Sequence, residues 1–284
     1  PVYMRLYGLA EDGHLYMHDI AARTTRDLGK VDDWDICRTI FADDQGNVYG
    51  SFPVGQIWKY DPVKDEIIDF PNIRLQYDMR VLPRTMSKPM IDRKVIWRVI
   101  EWDPVEKVAY GIIGGNSMLF RYDVHEGAEG KIEYLVPMTA PQYWDESNVR
   151  MIPFATLAFT IAPDRKIYFA PTASGSFDYV GNSWDVKDEE KFQAKLAGGY
   201  FPPVSYLVSY DLKSRQRESR GLMVTEQGNL VFGLGGACTG AKDGRIYFVG
   251  AIEEKNPGDV VGSVGRRWPF SMGLVAYDPA KSEY

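Results

Sequence analysis

Two arginines stand at corresponding positions of two repeated segments and could together bind an acidic group. Arg38 and Arg98 each lie in the first strand of a repeat, and Arg150, Arg266 and Arg267 fall in connections predicted at the same end of the fold. A guanidinium group presents a planar fork of donors that suits bidentate binding of a carboxylate or a sulfate. Five acidic residues lie around them: Asp32, Asp33, Asp35, Asp145 and Glu146. A second interpretation therefore stays open, in which arginines and carboxylates pair across neighbouring repeats and hold them together.

Five of the seven tryptophans fall in segments predicted on the same face as these arginines. They are Trp34, Trp97, Trp144, Trp184 and Trp268. Exposed aromatic rings around a concave face can stack on sugar rings or other flat ligands, since each ring buries a large apolar area with little loss of entropy. The alternative is that these rings pack beneath long loops and hold them in place.

Few residues qualify as a base. Of the three histidines, only His14 maps to this face, and Tyr143 or Tyr179 could serve in its place. A base beside arginines that neutralise a carboxylate is what β-elimination of a uronate sugar requires. The simpler interpretation of His14 is an ordinary hairpin residue, and we expect His18 to be structural and His125 to face solvent. The sequence predicts no metal site, because it lacks zinc-type spacing and clustered histidines, and it identifies no cofactor.

A repeated phrase defines the elements that must position these side chains. Its clearest form is Ile57-Trp58-Lys59-Tyr60-Asp61, and its five copies end at Asp19, Asp61, Asp123, Asp211 and Asp278. A run containing tyrosine, such as Tyr49-Gly50, precedes each copy. Recurrence at this scale indicates stacked supersecondary units.

The second repeat serves as a reference unit. It reads as strands at 38–42, 47–52, 56–61 and 66–70, separated by turn residues. Four short antiparallel strands joined by hairpins are typical of a β-propeller blade, and we letter them A to D in chain order. We therefore predict an all-β fold, a β-propeller of four-stranded antiparallel blades, with five blades visible in one domain over residues 1–284. Its D-to-A connections and B-to-C loops would share the face that carries the tryptophans and arginines.

Several repeats depart from this unit. The first repeat lacks strand A, and the last strand D has barely begun. Residues 228–233 read as an extra strand or an extension of strand D, before a strand A at 236–241. An insertion at 172–204 contains the one predicted helix, at 186–196. We predict that the chain does not close into a ring alone, and that a missing segment or a partner chain completes a ring of six to eight blades.

Composition limits the classes of partner. The net charge of −6 argues against nucleic acid, and no stretch approaches the roughly 20 apolar residues of a membrane helix. The two cysteines, Cys37 and Cys238, lie in apolar runs, which predicts buried free thiols.

The strand phrases carry a resemblance to known propellers. Gly46-Asn47-Val48-Tyr49-Gly50 and the following Gln56-Ile57-Trp58-Lys59-Tyr60-Asp61-Pro62 resemble repeats of large quinoprotein-like and gluconolactonase-like propellers. They are also similar to repeats of propeller-type polysaccharide lyases. The resemblance covers nearly all of the chain and implies the blade, but it implies no cofactor or metal residues, because no matching motif is present.

Three functions fit these patterns. The first is a ligand-binding propeller whose face of tryptophan and arginine recognises a saccharide, with an acidic saccharide as the specific candidate. The second is a polysaccharide lyase that cleaves a uronic-acid-containing glycan by β-elimination, with Arg38 and Arg98 neutralising the carboxylate and His14 or Tyr143 as the base. The third is a protein-interaction scaffold.

Overall fold

The computed structural model describes residues 4–10, 12–31, 39–52, 55–76, 97–113, 118–138, 153–154, 158–170, 172–173, 204–229, 231–240, 243–253 and 270–284. These residues form twenty strands in antiparallel pairings. They contain no helix, and so none that could cross a membrane. The chain divides into two compact units, of which the first comprises residues 1–77, 88–114 and 119–135 and the second comprises the rest.

The first unit is built from three sheets of strands that are consecutive in sequence. Sheet 1 consists of β1 (Arg5–Leu9), β2 (His14–Asp19) and β3 (Thr24–Lys30). Sheet 2 consists of β4 (Phe41–Ala42), β5 (Val48–Ser51), β6 (Gln56–Asp61) and β7 (Glu66–Arg74). Sheet 3 consists of β8 (Trp97–Asp103), β9 (Val108–Ile113), β10 (Met118–Asp123) and β11 (Lys131–Pro137).

The second unit holds two sheets. Sheet 4 consists of β12 (Pro153–Phe154), β13 (Phe159–Ile161), β14 (Lys166–Phe169), β15 (Thr172–Ala173), β16 (Val204–Asp211) and β17 (Gln216–Leu222). In sheet 4, β16 pairs with β14 and then with β15 along one edge and with β17 along the other. Sheet 5 consists of β18 (Val231–Thr239), β19 (Ile246–Glu253) and β20 (Phe270–Tyr277).

The fold class is the predicted one, an all-β protein whose sheets are β-propeller blades. The five repeated phrases form the C strands β2, β6, β10, β16 and β20. Sheet 1 has three strands and lacks strand A among the described residues, as predicted. The prediction of an extra strand or a strand D extension at 228–233 is wrong, because residues 231–233 lie in the same strand as the predicted strand A, β18, whose register shifts between Phe232 and Gly236. Within the predicted insertion, β15 and the first residue of β16 are described, whereas the predicted helix at 186–196 lies outside the described residues.

Buried apolar side chains between neighbouring sheets form the cores. In the first unit, Leu15 of sheet 1 and Val31, which follows β3, pack with Val48, Trp58 and Tyr60 of sheet 2. In the second unit, a corresponding cluster joins sheets 4 and 5 through side chains such as Tyr168, Leu207, Phe248 and Tyr277. Burial of each such large side chain contributes roughly 1.5–3 kcal/mol. The face that each strand buries is therefore fixed by its neighbouring sheet.

The glycine of the Tyr-Gly run is required by an aromatic ring on the next strand. Gly50 pairs with Trp58 across β5 and β6, and a Cβ atom on Gly50 would lie 2.0 Å from the indole ring. Gly111 pairs with Phe120 across β9 and β10, and a Cβ atom there would lie 2.6 Å from the phenyl ring. Both distances are too short for any side chain, so glycine leaves the room that the large ring occupies.

The aspartate of the repeated phrase caps the turn that follows strand C. Asp61 Oδ1 accepts hydrogen bonds from the backbone N–H groups of Val63 and Lys64 at 2.9 and 3.2 Å. Asp211 Oδ1 accepts from those of Lys213 and Ser214 at 2.9 and 2.8 Å. These backbone bonds lower the pKa of Asp211. The repeated aspartate is therefore a structural residue, which explains its recurrence without a ligand.

A second carboxylate recurs at the hairpin that joins strands A and B. The tyrosine of strand B donates its hydroxyl to an acidic residue of that hairpin in four sheets, at distances between 2.6 and 3.0 Å. The pairs are Tyr49 with Asp43, Tyr110 with Glu106, Tyr168 with Asp164 and Tyr247 with Asp243. Burial and the adjacent carboxylate raise the pKa of Tyr168, so its hydroxyl keeps its proton and stays a donor.

Candidate ligand-binding site

Three of the predicted site residues lie in the described part of the chain: His14, Trp97 and Arg98. The others lie outside it, namely Trp34, Arg38, Tyr143, Trp144, Arg150, Tyr179, Trp184, Arg266, Arg267 and Trp268. The acidic residues predicted around them, Asp32, Asp33, Asp35, Asp145 and Glu146, also lie outside it. The roles of these residues stay predictions.

Trp97 is fully buried, with 0% of its surface exposed. Its indole Nε1 donates to the backbone oxygen of Thr39 at 2.7 Å, and its ring lies 6.0 Å from Phe41 and 6.4 Å from Phe120. The Thr39 hydroxyl in turn accepts from the backbone N–H of Ile100 at 3.1 Å. Trp97 therefore fastens β8 to the chain before β4, and its ring offers no exposed surface to a ligand.

Arg98 follows Trp97 at an irregularity in sheet 3. Trp97 pairs with Ile113 and Val99 pairs with Ile112, so Arg98 is an extra residue in the ladder between β8 and β9. An extra residue of this kind bends the strand locally and redirects its side chain. Arg98 is half-buried at this bulge.

His14 occupies the start of β2, directly after the hairpin that joins strands B and C of sheet 1. Gly13 has a φ of 82°, which glycine adopts without strain, and its N–H donates to the oxygen of Ala10 at 3.0 Å. The backbone N–H of His14 donates to Asp12 Oδ1 at 3.0 Å. The imidazole Nδ1 lies 2.9 Å from Asp27 Oδ2 and 3.1 Å from Asp27 Oδ1. The Asp12 carboxylate therefore fixes the backbone of His14, and the Asp27 carboxylate fixes its imidazole ring.

A β-bulge brings Asp27 to the imidazole. In the ladder between β2 and β3, Leu15 pairs with Gly29 and Tyr16 pairs with Asp27, so Leu28 has no partner. Gly29 has a φ of 113° and its N–H donates to Asp27 Oδ1 at 2.8 Å. This bond, followed by the one to His14, lowers the pKa of Asp27. The carboxylate is therefore ionised at neutral pH and oriented by its own strand.

The second imidazole nitrogen of His14, Nε2, is the atom that could contact a ligand. Among the described residues, no group forms a hydrogen bond with Nε2, and the side chain is 31% exposed. The imidazole ring lies 6.3 Å from that of Tyr16, at an interplanar angle of 30°. A carboxylate at one ring nitrogen sets the tautomer and orientation of the other. The exposed nitrogen can then exchange a hydrogen bond or a proton with a ligand hydroxyl.

The other histidines and the described cysteine have different surroundings. His18 Nδ1 lies 2.9 Å from the hydroxyl of Thr25 across β2 and β3. His125 is exposed, as expected, although its Nε2 lies 3.2 Å from Asp44 and its ring meets the edge of Trp102. Cys238 is free and exposed, so the prediction that it is buried is wrong. The neighbouring residue Ala237 packs against the core. Cys238 therefore lies on the other face of the sheet, where it pairs with the half-buried Tyr247. In the described part of the chain, no group of three metal-binding side chains is positioned to hold an ion.

Sequence reasoning missed Asp27 as a member of this site. The residue lies thirteen positions after His14 in a polar strand with no alternating pattern, Thr24–Lys30. Its position opposite His14 depends on the bulge at Leu28, which the sequence signals only through Gly29.

Comparisons with known proteins show a similar fold and do not show a function. No family model matches the chain, and no curated protein matches it. Among solved structures, the chain is similar to hydrazine synthase from Kuenenia stuttgartiensis at 12% identity and a TM-score of 0.51, covering 88% of this chain and 61% of that one. Identity this low shows a common fold alone.

Two further solved structures match with lower TM-scores. One is the extracellular domain of a one-component system from B. thetaiotaomicron, at 10% identity and a TM-score of 0.49, covering 86% of this chain and 24% of that one. The other is the tricorn protease, at 13% identity and a TM-score of 0.46, covering 94% of this chain and 20% of that one. The chain thus spans less than two thirds of each of these three proteins, and the resemblance to quinoprotein-like, gluconolactonase-like or lyase propellers stays a hypothesis.

Proposed function

We propose that this chain is a ligand-binding β-propeller that recognises a saccharide, specifically an acidic one. A propeller fits a ligand-binding or a scaffold role, and the fold alone does not select between them. The observation that carries the proposal is the pair of His14 and Asp27, which leaves Nε2 of a fixed imidazole open beside the ring of Tyr16. Sugar hydroxyls donate and accept hydrogen bonds, and sugar rings pack on aromatic surfaces.

The candidate for acid recognition is the set of arginines predicted on the same face. Arg98 is the described member, and a guanidinium group binds a carboxylate in a bidentate manner. Arg38, Arg150, Arg266 and Arg267 would add positive charge to a chain whose net charge is −6. We propose that this local charge distinguishes acidic from neutral glycans.

A lyase activity is the second candidate, and the pair of His14 and Asp27 is also the observation that favours it. A carboxylate-oriented imidazole is a suitable base for removing a proton next to a uronate carboxylate. Arg38 and Arg98 would neutralise that carboxylate in the transition state, with Tyr143 as the alternative base.

Binding to a panel of acidic and neutral polysaccharides tests the proposal. We expect the protein to bind acidic members more tightly than neutral ones. Loss of one hydrogen bond to a ligand hydroxyl, about 0.5–1.5 kcal/mol, should weaken binding of the His14→Ala variant by roughly two- to ten-fold. His18→Ala is the matched control, because His18 lies on the same strand but bonds to Thr25. Equal loss in both variants would mean that the effect is structural.

The same panel separates the remaining functions. Ultraviolet absorbance from unsaturated products in the wild-type protein, abolished in His14→Ala, would identify a lyase. Absence of binding to every polysaccharide would overturn the saccharide proposal and favour the protein-interaction scaffold.

A further inference from the structure

We infer that a cleft between β7 and β11 is a second binding site, one for a carboxylate-bearing saccharide. The site belongs wholly to the first unit and contains none of the residues assigned to the ligand face above. Its ligand class rests on the proposed function, whereas its position and charge rest on the contacts described below.

The cleft has a volume of about 840 Å³, which lies within the range of small-molecule sites. One wall is the end of β7, with Pro71, Ile73 and Arg74, and the other is the start of β11, with Lys131 and Tyr134. Both β7 and β11 are the outermost strands of their sheets. The two walls therefore meet across the edges of sheets 2 and 3 and form an open groove.

A wide bulge in β7 creates the first wall. Ile57 pairs with Phe70, but the preceding residue, Gln56, pairs with Arg74, so residues 71–73 have no partner in β6. Pro71 suits this position because proline has no N–H to lose from the ladder. Bulges of this kind redirect side chains and occur next to functional sites more often than elsewhere. Here the bulge displaces residues 71–73 from the ladder and places Pro71 and Ile73 in the lining of the cleft.

Hydrogen bonds between the two strands hold the groove in shape. Glu129 accepts from the backbone N–H and from the side-chain amide of Asn72, both at 2.8 Å. Tyr134 accepts through its hydroxyl from the backbone N–H of Gln76 at 2.7 Å. These bonds satisfy amides on the outer edge of β7 and fix its distance from β11. A ligand would therefore enter a preformed groove and would not have to order it.

Arg74 is the group in this groove that lacks a counter-charge. In the described part of the chain, the Arg74 side chain has no hydrogen bond or ion pair, although it lies on the wall of the cleft. By contrast, Arg26 is paired with Asp65, and Arg121 is paired with Asp123. The second cation of the groove, Lys131, is paired with Glu126. An open guanidinium in a concave site is suited to bidentate binding of a carboxylate.

The remaining polar groups of the groove suit the rest of a sugar. Each oxygen of Glu129 accepts one bond from Asn72, and an ionised carboxylate has about four acceptor positions, so it can still accept from ligand hydroxyls. The lining by Pro71, Ile73 and Tyr134 gives the apolar surface on which a sugar ring can rest. A single open cation beside an available acceptor matches one sugar unit that carries one carboxylate and several hydroxyls, such as a galacturonate unit of a longer chain.

Isothermal titration with trigalacturonate and with its neutral methyl ester tests the inference. We expect the wild-type protein to bind two trigalacturonate molecules, one at the groove and one at the His14 site. Arg74→Gln should bind one, with binding at the groove weakened at least ten-fold. Arg74→Lys should not restore it, because an ammonium group lacks the planar fork. Arg23→Gln, at an exposed arginine of sheet 1, is the control and should bind two.

The variants distinguish failure of the groove from failure of the proposed function. Unchanged binding in Arg74→Gln, together with loss of one molecule in His14→Ala, would overturn the groove and leave the proposed function standing. Equal affinity for the acid and its methyl ester would overturn recognition of the carboxylate. Absence of trigalacturonate binding by the wild-type protein would overturn the groove, whereas the saccharide proposal falls only if the polysaccharide panel also shows no binding. The melting temperature of Arg74→Gln should match that of the wild type, because Arg74 is exposed.

Discussion

At the scale of single residues, the recurring types have separate structural duties that the sequence combines in one pattern. Glycine in strand B makes room for the ring of strand C, and aspartate after strand C caps a turn. The sequence predicts where these residues recur, but it does not predict which group each of them contacts. The sequence shows that Gly50 and Trp58 recur in phase, whereas the contact between them appears only once the strands are paired.

The first prediction concerns Gly50→Ala. The added methyl group would meet the buried indole of Trp58, whose displacement overpacks the core and costs typically 1–3 kcal/mol. Denaturant unfolding of the variant should show this loss at an unchanged m value. Gly8→Ala is the matched control, since Gly8 occupies the same position of sheet 1 and a Cβ atom added there would have nothing within 4 Å. Equal losses in both variants would mean that backbone preference, and not the ring, requires the glycine.

At the scale of elements, side chains from one sheet bind the hairpins of the next. Arg26 of β3 donates to both carboxylate oxygens of Asp65 in the turn between β6 and β7, and also to the hydroxyl of Tyr60. Asp44 similarly lies 3.0 Å from Lys107 and 3.2 Å from His125 of sheet 3. These contacts join the sheets at their hairpins, outside the apolar core.

The second prediction concerns the pH dependence of the bond between Arg26 and Asp65. The bond to Arg26, followed by that to Tyr60, lowers the pKa of Asp65. An acid whose pKa is lowered by folding stabilises the protein above its unfolded value, about 3.9, and loses this effect as pH falls through the folded value. Asp65→Asn should therefore slightly lower the melting temperature at pH 7, and the difference from wild type should vanish in acid. Asparagine also tolerates the positive φ of 58° at this turn.

The control for this prediction is Glu66→Gln, which removes a neighbouring negative charge whose one ion pair among the described residues is with Lys64, at 3.5 Å. An exposed pair of this kind contributes little, so this variant should melt with the wild type at both pH values. A difference for Asp65→Asn that persists in acid would contradict an electrostatic origin.

The bounds of strands were predicted well where turn residues and the pattern of buried residues indicate the same ends. They were predicted poorly where the bounds depend on the register of strand pairing. Strand β6 has the predicted bounds, because a glycine-containing hairpin precedes it and an aspartate turn follows it. Strand β18 contains two segments that were predicted as separate strands. Both pair with β19, and only the register of the pairing shifts between Phe232 and Gly236. The bond between His14 and Asp27 and the groove of Arg74 both depend on bulges. A bulge changes which residues face each other without changing composition, so these sites could not be predicted from the sequence.

At the scale of the whole molecule, the described chain is a set of small sheets, each of which buries its apolar side chains against a neighbouring sheet within its unit. Closure of the ring by further residues or by a partner chain stays a prediction, as does a single domain over residues 1–284. In sheet 5, β20 is paired on one side by β19, and on the other side only the bridge between Asp278 and Glu283 starts a further ladder in the described residues.

The third prediction tests the all-β fold over the entire chain. Circular dichroism should give a helix content below roughly 15%, well under the roughly 30–35% of an average globular protein. Replacement of residues 174–203 by a short linker should remove most of the helical signal, because the predicted helix at 186–196 lies there. The unaltered β signal of this deletion variant is the control. A helix content near the average would contradict the fold.

A left-handed backbone conformation recurs at the same position of five hairpin turns, which offers equivalent sites for substitutions that raise stability. Arg23, Asp65, Lys107, Arg215 and Ser282 each follow an aspartate by four residues and each have a φ between 55° and 58°. A left-handed conformation costs an ordinary residue roughly 1–2 kcal/mol, and asparagine tolerates it better than arginine or serine does. Arg23→Asn and Ser282→Asn should each raise stability by up to about 1 kcal/mol, and their effects should add, because the turns belong to different sheets. A substitution that succeeds in one blade can thus be transferred by position to other blades, but not to Asp65, whose carboxylate binds Arg26 and Tyr60.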